Sequence, residues 1–436
     1  MASVAFHTLG CKVNSYESEG MLELFKQRGY TSVDWKEKAD VYVINTCTVT
    51  NTGDAKSRQM IRRAKKENPD AIIAVVGCYA QVASGEVAEI EGVDIVIGTK
   101  HREKIVDYIE EYKNNHKQIV DVSDVMKLKQ FEKLNITSFE NRTRAFMKIQ
   151  DGCNNFCTYC IIPYARGGVR SRAPEDVLRQ AQELVNQGFV EIVLTGIHTA
   201  GYGMDLENYS FSDLLRDLST KVEGLKRIRI SSIEMSQVTP EIINLIATSP
   251  VIVDHLHIPI QSGTDETLRR MARHYTTAEF EDNLNKLKKA LPTLSVTTDV
   301  IVGFPGETEE DFEHTYNWIK KCHFNQLHVF PYSKRSGTPA ATMANQVPGD
   351  VKKERVKRLM ALSDTLKHEF ALSQVGKTLE VLFEEEKDGY KIGHASNYLL
   401  VKVKDDRIKL NHLYDIKIIA CDGVDLLGEN HHEENQ

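Results

Sequence analysis

The first part of the chain alternates short apolar runs with stretches of helical periodicity. The runs VAFHTL, VYVINT, AIIAVVG and DIVIG are separated by helical patterns at 15–29, 52–67, 80–90 and 102–112. Strands that alternate with helices are typical of a parallel sheet with right-handed crossovers. The pattern predicts a doubly wound parallel α/β domain over residues 2–114.

The charge-rich segment 115–138 lacks this rhythm and is predicted to be a linker with one edge strand. A second alternating run predicts a partial (β/α)6 barrel over 139–370, with its chemistry at the carboxyl ends of the strands. An amphipathic helix at 350–373 is expected to close this domain. The six predicted strands lie at 145–150, 191–195, 226–231, 254–259, 295–302 and 326–330.

The last part of the chain changes to a period of two. Five short runs, TLEVLFEE, YKIGHAS, YLLVKVK, YDIKIIAC and GVDLLGE, alternate apolar and polar residues. They predict a small antiparallel β-barrel over 372–436, OB-like in form, and small barrels of this sort often hold RNA.

Composition narrows the class of protein. The 436 residues are too many for one typical core, and 41% hydrophobic with 27% charged residues is ordinary for a globular chain. There is no signal-peptide pattern and no apolar run of about 18 residues, so we expect neither export nor membrane spanning but a cytoplasmic protein. The net charge of −7 limits any nucleic-acid contact to local basic patches.

The loop 151-DGCNNFCTYCIIPYARG-167 places Cys153, Cys157 and Cys160 close together. Iron–sulfur cubanes in electron carriers take four thiolates, so three would leave one iron open to a ligand that is not protein. A zinc site completed by a distant histidine such as His198 is the alternative, although structural zinc ligands more often come as paired Cys-x2-Cys knuckles.

A second set of cysteines, Cys11, Cys47 and Cys78, stands just beyond three predicted strands. Because the carboxyl ends of parallel strands share one edge of a sheet, these thiols are predicted to converge. Buried core cysteines are the alternative, but they would lie inside the strands. Cys322 and Cys421 join neither set and are expected to be dispensable.

The loop with Cys153, Cys157, Cys160 and the aromatic Tyr159 resembles that of the radical S-adenosylmethionine (SAM) superfamily. The resemblance implies that the open iron binds SAM and that one electron cleaves it to a 5′-deoxyadenosyl radical. With the second cysteine set, 8-TLGCKVNSYESE-19 and the terminal barrel, the whole chain resembles the methylthiotransferases. That family implies two [4Fe–4S] clusters, an auxiliary one on the N-terminal cysteines and a radical one on the loop, and a C-terminal TRAM domain.

The stretches LGCKVNSYES, DGCNNFCTYCIIPYARG and 194-LTGIHTAGYG-203 resemble the branch that acts on N6-threonylcarbamoyladenosine at position 37 of tRNA. The implied activity is insertion of a methylthio group at C2, with SAM as both methyl donor and radical source. A one-electron reductant such as flavodoxin or ferredoxin is implied, and we expect a monomer. The alternatives are N6-isopentenyladenosine as substrate and, from another class, a non-catalytic iron–sulfur RNA-binding protein.

The glycine-glycine-glutamate strand common in radical SAM enzymes is absent, since 195–198 read TGIH. Candidate SAM contacts are Tyr159 and three polar residues at or near strand ends, Glu234, Gln261 and Asp299, which could equally cap loops. The helix after Cys47 displays cations that suit either tRNA phosphates or a solvated face, namely Arg58, Arg62, Arg63, Lys65 and Lys66. The arginines after the loop, Arg166, Arg170 and Arg172, are candidates for phosphate, SAM carboxylate or packing.

Overall fold

A six-stranded, wholly parallel sheet is built by the first part of the chain. The computed structural model describes residues 2–134, 136 and 143–430. The strands are β1 Ser3–Thr8, β2 Thr31–Ser32, β3 Val41–Thr46, β4 Ile72–Gly77, β5 Ile95–Ile97 and β6 Ile119–Asp121, in the order β2-β1-β3-β4-β5-β6. The helices are α1 Lys12–Gln27, α2 Asn51–Glu67, α3 Cys78–Val82, α4 Ser84–Ala88 and α5 Ile105–Asn115.

Burial on both faces explains why β3 reads as a nearly continuous apolar run. All six of its residues are buried, as expected of a central parallel strand covered by helices on both sides. Tyr42 and Ile44 enter one core, and Val41 and Val43 enter another. The doubly wound prediction is confirmed, and β6 is the edge strand predicted in the linker. Strand β2 was missed because its two exposed residues carry no apolar signal.

Six parallel strands form the central part, as predicted, in two groups of three. A bridge between Ile228 and Ile252 connects the groups, and among the described residues the first and the last of the six strands are not paired, so the barrel is open. A short antiparallel ribbon precedes and follows the loop of Cys153. In chain order the strands are β7 Arg144–Lys148, the ribbon strands β8 Gln150–Asp151 and β9 Arg170–Ser171, β10 Glu191–Thr195, β11 Arg227–Ile230, β12 His255–His257, β13 Ser295–Val302 and β14 Gln326–Pro331.

The helices of the central part pack over the outer face of these strands. Ile228 and Ile230 of β11 join the large core that this packing creates. The long helix predicted at 350–373 is present as α13. The helices are α6 Ile162–Arg166, α7 Pro174–Asn186, α8 Phe211–Lys221, α9 Pro240–Thr248, α10 Asp265–Arg270, α11 Thr277–Ala290, α12 Glu309–Cys322 and α13 Gly349–Leu372.

The predicted small barrel is present and closed, in the order β15-β16-β17-β19-β18. All its neighbours are antiparallel except β17 and β19, which are parallel. A closed ring of five strands cannot alternate direction throughout, so one parallel pair is unavoidable. The strands are β15 Thr378–Lys387, β16 Tyr390–Ala395, β17 Leu400–Val403, β18 Leu413–Asp422 and β19 Asp425–Asn430.

The small barrel contacts the amino-terminal ends of the central strands. Arg227 donates from Nε to Glu380 Oε1 at 2.7 Å, and Arg144 Nε lies 2.7 Å from Glu384 Oε1. The carboxyl ends of the central strands are therefore left to face the first sheet. The predicted boundary at 138–139 and the chain beyond 430 lie outside the described residues. Within the described residues, no helix is long and apolar enough to cross a membrane.

Candidate functional site

The auxiliary triad, defined as Cys11, Cys47 and Cys78, lies beyond the carboxyl ends of β1, β3 and β4. These strands are neighbours, and the order of the sheet reverses at β1, which is where doubly wound folds place ligands. Burial raises the pKa of the Cys78 thiol to about 11, and the nearby Cys11 adds to the rise. Burial and Cys11 also raise the pKa of Cys47. Cys11 thus lies within electrostatic reach of both Cys47 and Cys78.

Glycines make this approach possible. Gly10 has φ +106°, and a Cβ at this position would lie only 3.0 Å from Cβ of Cys47. Gly77 has φ +95°, and a Cβ there would lie 2.5 Å from Asn45 Oδ1. Residues with side chains rarely adopt these φ values. Each of the two Gly–Cys pairs therefore turns the chain sharply at the strand end and brings its cysteine toward Cys47.

The radical triad, defined as Cys153, Cys157 and Cys160, lies in the loop between β8 and β9. Burial raises the pKa of Cys153 to about 11 and that of Cys160 to about 12, and the neighbouring Cys157 adds to both. The Asn155 backbone N–H lies 3.5 Å from Cys153 Sγ. This loop follows the first strand of the barrel, so its thiols lie at the carboxyl ends of the strands, where barrel enzymes place their chemistry.

The two donor sets fit iron–sulfur clusters. Each triad supplies three converging thiols, the ligand type that cubanes require. Among the described residues, no three Cys, His, Asp or Glu side chains are placed to share a single metal ion. His198, considered above as a zinc ligand, instead has Nε2 3.0 Å from Gln237 Oε1. Ligation by these six cysteines stays a prediction.

A cavity of about 250 Å³ borders both the radical loop and the segment that follows Cys47. Cys160 of the radical triad lines it, together with Val49 and Thr50, which follow Cys47 of the auxiliary triad. The cavity is lined by Val49, Thr50, Tyr159, Cys160, Ile161, Ile162, Gln261, Asp299, Ile301, Phe330, Pro331, Tyr332 and Ser333.

Three of the four predicted SAM contacts, Tyr159, Gln261 and Asp299, line this cavity. The fourth, Glu234, does not line it and forms an ion pair with Arg273. Arg273 in turn donates from Nη1 to Cys157 Sγ at 3.4 Å. The structure thus places Glu234 behind the radical triad rather than at the cavity. Contact of any of the four with SAM remains a prediction.

Two functional arginines were missed by the sequence analysis. Arg273 lies in LRRMARHYT, where nothing distinguishes it from the neighbouring arginines. Arg335 follows the last central strand and contacts the start of α2, where its Nη1 donates to Asn51 Oδ1 at 2.9 Å and pairs with the buried Asp54. This contact holds the segment after Cys47 against the central barrel. Its partners are 281 to 287 residues distant, so no local pattern could reveal it.

The arginines after the radical loop are buried and bonded within the protein. Arg166, Arg170 and Arg172 have 0%, 3% and 4% of their surface exposed. Arg170 donates to the Gly168 carbonyl at 2.9 Å, and Arg172 donates to Gln180. Of the three roles considered above, internal packing and bonding fits these positions, and contact with tRNA phosphates does not.

Part of the basic face of α2 is engaged in contacts within the protein. Arg58 donates to the Tyr79 hydroxyl at 2.9 Å, and Arg63 pairs with Glu67 at 3.4 Å. The other cations share a surface groove with acidic residues, so the patch is less positive than the helix alone indicates. That groove is lined by Arg62, Lys65, Lys66, Glu86, Glu89, Ile90 and Glu91. RNA binding by α2 stays a prediction.

Two family descriptions match the chain. Residues 147–319 match the radical SAM superfamily, and residues 3–98 match a family described as uncharacterized protein family UPF0004. The first match spans most of the central barrel with the radical triad, and the second spans the auxiliary triad.

Curated relatives are similar over almost the whole chain. Threonylcarbamoyladenosine tRNA methylthiotransferase MtaB of Bacillus subtilis is 57% identical over 426 residues, which is 97% of this chain and 94% of the relative. The protein of the same name from Aquifex aeolicus is 42% identical, over 88% of this chain and 93% of its own. A tRNA-2-methylthio-N(6)-dimethylallyladenosine synthase of Clostridium botulinum is 36% identical, over 97% and 95%.

Solved structures share the fold at low sequence identity. The radical SAM methyltransferase TsrM from Kitasatospora setae has a TM-score of 0.57 and 14% identity, covering 78% of this chain and 77% of its own. The cobalamin-dependent radical SAM enzyme OxsB has a TM-score of 0.52 and 12% identity, covering 82% and 56%. At this identity the likeness shows that the fold is shared.

Proposed function

The chain belongs to the radical SAM methylthiotransferase family, and on that premise we propose that it inserts a methylthio group at C2 of N6-threonylcarbamoyladenosine in tRNA. The observation that carries the proposal is the cavity bordered both by Cys160 and by the segment that follows Cys47. The substrate branch is supported by identity, since relatives named for threonylcarbamoyladenosine are 57% and 42% identical and those named for dimethylallyladenosine are 36% to 37% identical.

The cysteines would hold two [4Fe–4S] clusters, the auxiliary one on Cys11, Cys47 and Cys78 and the radical one on Cys153, Cys157 and Cys160. When bound, the clusters and SAM supply a radical able to activate the adenine C2–H bond and a methylated sulfur to place there. A one-electron donor such as flavodoxin or ferredoxin reduces the radical cluster. The enzyme acts on tRNA as a monomer in the cytoplasm.

Residues that line the cavity can position a bound group and shelter it from solvent. Ile301 and Tyr332 give the cavity an apolar wall, while Gln261 and Asp299 present polar atoms that can orient a bound nucleoside. Phe330 also lines the cavity and is 48% exposed. An open aromatic face at this place suits stacking of a purine base.

Each part of the chain has one task in this proposal. Residues 2–114 hold the auxiliary cluster, residues 139–370 hold the radical cluster and SAM, and residues 372–436 bind tRNA as a TRAM domain. The segment 115–138 links the first two parts. The contacts of Arg227 and Arg144 with the small barrel keep the tRNA-binding part against the central one.

The test compares defined tRNAs with anaerobically reconstituted, reduced enzyme and SAM. One tRNA carries N6-threonylcarbamoyladenosine at position 37, a second carries N6-isopentenyladenosine, and a third is unmodified. After digestion of the tRNA, the nucleosides are separated and their masses are measured by mass spectrometry. We expect the methylthio derivative from the first tRNA only.

Product from the isopentenyladenosine tRNA alone would overturn the substrate assignment and leave the reaction type standing. No methylthio product from any tRNA, with SAM cleaved normally, would overturn the methylthiotransferase proposal itself. The Cys47→Ala variant serves as the matched control, because it retains the radical triad and lacks one auxiliary ligand.

A further inference from the structure

The buried guanidinium of Arg166 contacts both the auxiliary triad and the segment that precedes the radical triad. Arg166 ends α6, the helix that follows the radical loop, and none of its surface is exposed. Its Nε donates to Sγ of Cys78, the buried member of the auxiliary triad, at 3.3 Å. Its Nη1 donates to Asp151 Oδ1 at 3.2 Å, two residues before Cys153. One planar group therefore joins the two cysteine sets.

All remaining donors of Arg166 are engaged as well. Nη1 also donates to Glu17 Oε1 at 2.6 Å, and Nη2 donates to Glu17 Oε2 at 3.0 Å and to Asn14 Oδ1 at 2.8 Å. Asn14 and Glu17 belong to α1, the helix that begins immediately after Cys11. A guanidinium with five fixed donors holds its partners in one plane, which an ammonium cannot do.

The partners of Arg166 are themselves fixed by buried ions. Glu17 also pairs with Lys148 at 2.6 Å and with Arg102, and Lys148 pairs with Asp151 at 2.7 Å. Burial alone would raise the pKa of Glu17, but Arg102, Arg166 and Lys148 lower it to about 2. Glu17 is therefore ionised at neutral pH, and Arg166 has a fixed anion on the side opposite Cys78.

We propose that Arg166 is a positioning residue that holds the auxiliary triad at a fixed offset from the radical triad and donates a charged hydrogen bond to the sulfur of Cys78. The role of Arg166 in the reaction rests on the proposed function, whereas the contacts of Arg166 are independent of the substrate. Hydrogen bonds to cluster sulfurs are among the features that set reduction potentials. A cationic donor favours the more negative, reduced state of the cluster.

Arg273 provides a matched residue on the other triad. It is also buried to 4% side-chain exposure, donates to the buried Cys157 at 3.4 Å and is held from behind by Glu234. Unlike Arg166, it has no bond to the auxiliary side among the described contacts. Changes at the two arginines should therefore affect different clusters.

The experiment measures each cluster alone. Arg166→Gln is placed in a Cys157→Ala background, which keeps only the auxiliary cluster, and in a Cys47→Ala background, which keeps only the radical cluster. Redox titration followed by electron paramagnetic resonance gives the midpoint potentials. We expect the auxiliary potential to become more negative and the radical potential to stay unchanged. Arg273→Gln should give the reverse result.

The activity of the Arg166→Gln single variant is a second measurement. In Arg166→Gln, SAM cleavage should continue, and methylthiolated tRNA formed per 5′-deoxyadenosine should fall about tenfold, the usual effect of losing a group that orients a metal ligand. Arg166→Lys should not restore the ratio, because an ammonium cannot reach Cys78, Glu17, Asn14 and Asp151 together. The potentials need no tRNA, so a wrong substrate assignment would leave them unaffected.

An unchanged auxiliary potential, or equal shifts of both clusters, would overturn the proposal. If Arg166→Gln fails to fold or to bind iron, Glu17→Asp is the second test. That change keeps the buried anion but shortens the side chain that holds Arg166, and we expect a smaller shift of the auxiliary potential in the same direction. A folded Glu17→Asp protein with the wild-type potential would also contradict the role assigned to Arg166.

Discussion

Removal of one thiol from either triad should separate two activities of the enzyme. Cys157→Ala removes a ligand of the radical cluster, so formation of 5′-deoxyadenosine should fall to background. Cys47→Ala leaves that cluster intact, and SAM cleavage should continue while methylthiolated tRNA disappears. Both products are quantified by mass spectrometry after anaerobic reconstitution. Methylthiolated product from the Cys47 variant would make the auxiliary triad structural.

The six cysteines could be grouped into two sets from the sequence because each signal is local. Cys11, Cys47 and Cys78 follow apolar strands directly, and the other three share one loop. The bonds of Arg166 to Cys78 and of Arg273 to Cys157 could not be predicted, because these cysteines lie 88 and 116 residues away from the two arginines. Sequence patterns describe neighbours along the chain, whereas a hydrogen bond to a ligand depends on how distant segments pack.

Helix α2 is the element on which a basic surface can be tested. Lys66 and Arg62 line a groove beside Glu86 and Glu89, and no ion pair is recorded for either cation among the described residues. If the groove meets tRNA phosphates, the double change R62E/K66E should raise Kd for tRNA severalfold and reduce the dependence of binding on salt by about one unit of slope per lost contact. The measurement is a filter-binding titration at several salt concentrations.

A matched charge reversal on another helix controls for the change in net charge. Lys286 and Lys289 lie on α11 and are exposed, and the double change K286E/K289E alters the net charge as much as R62E/K66E does. It should leave Kd and the salt dependence as in the wild type. An equal effect of both variants would mean that long-range charge, not contact with α2, determines the affinity for tRNA.

Element boundaries followed from periodicity wherever a strand is buried. All six central strands and the closing helix lie within a few residues of their predicted positions. In the small barrel, periodicity predicts where the strands lie but not which strands pair with each other. The parallel pairing of β17 with β19 follows from the count of five strands and from closure, and neither can be read from an alternation of apolar and polar residues.

The whole molecule should carry two clusters, and iron content tests this directly. Anaerobic reconstitution is expected to give about eight irons per chain for two cubanes, and about four in Cys157→Ala. Cys421→Ser is the control, because Cys421 lies in the small barrel and its thiol bonds only locally, to the Gly423 carbonyl at 3.3 Å. A stable content near four in the wild type would remove the auxiliary cluster.

Two uses of SAM by one molecule can be separated by withholding the reductant. Methyl transfer to sulfur needs no electron, so unreduced holoenzyme with SAM should form S-adenosylhomocysteine and release a methylthiol on acid treatment. 5′-Deoxyadenosine and methylthiolated tRNA should appear only after a one-electron reductant is added. Formation of 5′-deoxyadenosine without reductant, or absence of S-adenosylhomocysteine, would contradict this division. Chromatography with mass detection measures all four products.

The buried ions between the first sheet and the central barrel also bear on how a folded RNA can be accommodated. Glu17, Arg102, Lys148, Asp151 and Arg166 are at most 2% exposed. Hinging the two parts open would break several of these buried ion pairs at once. Hinge motion is therefore unfavourable, and the RNA has to change its conformation instead. The target adenosine has to swing out of its stack in the anticodon loop and enter the cavity as a single extruded base, so the cost of deformation falls on the nucleic acid.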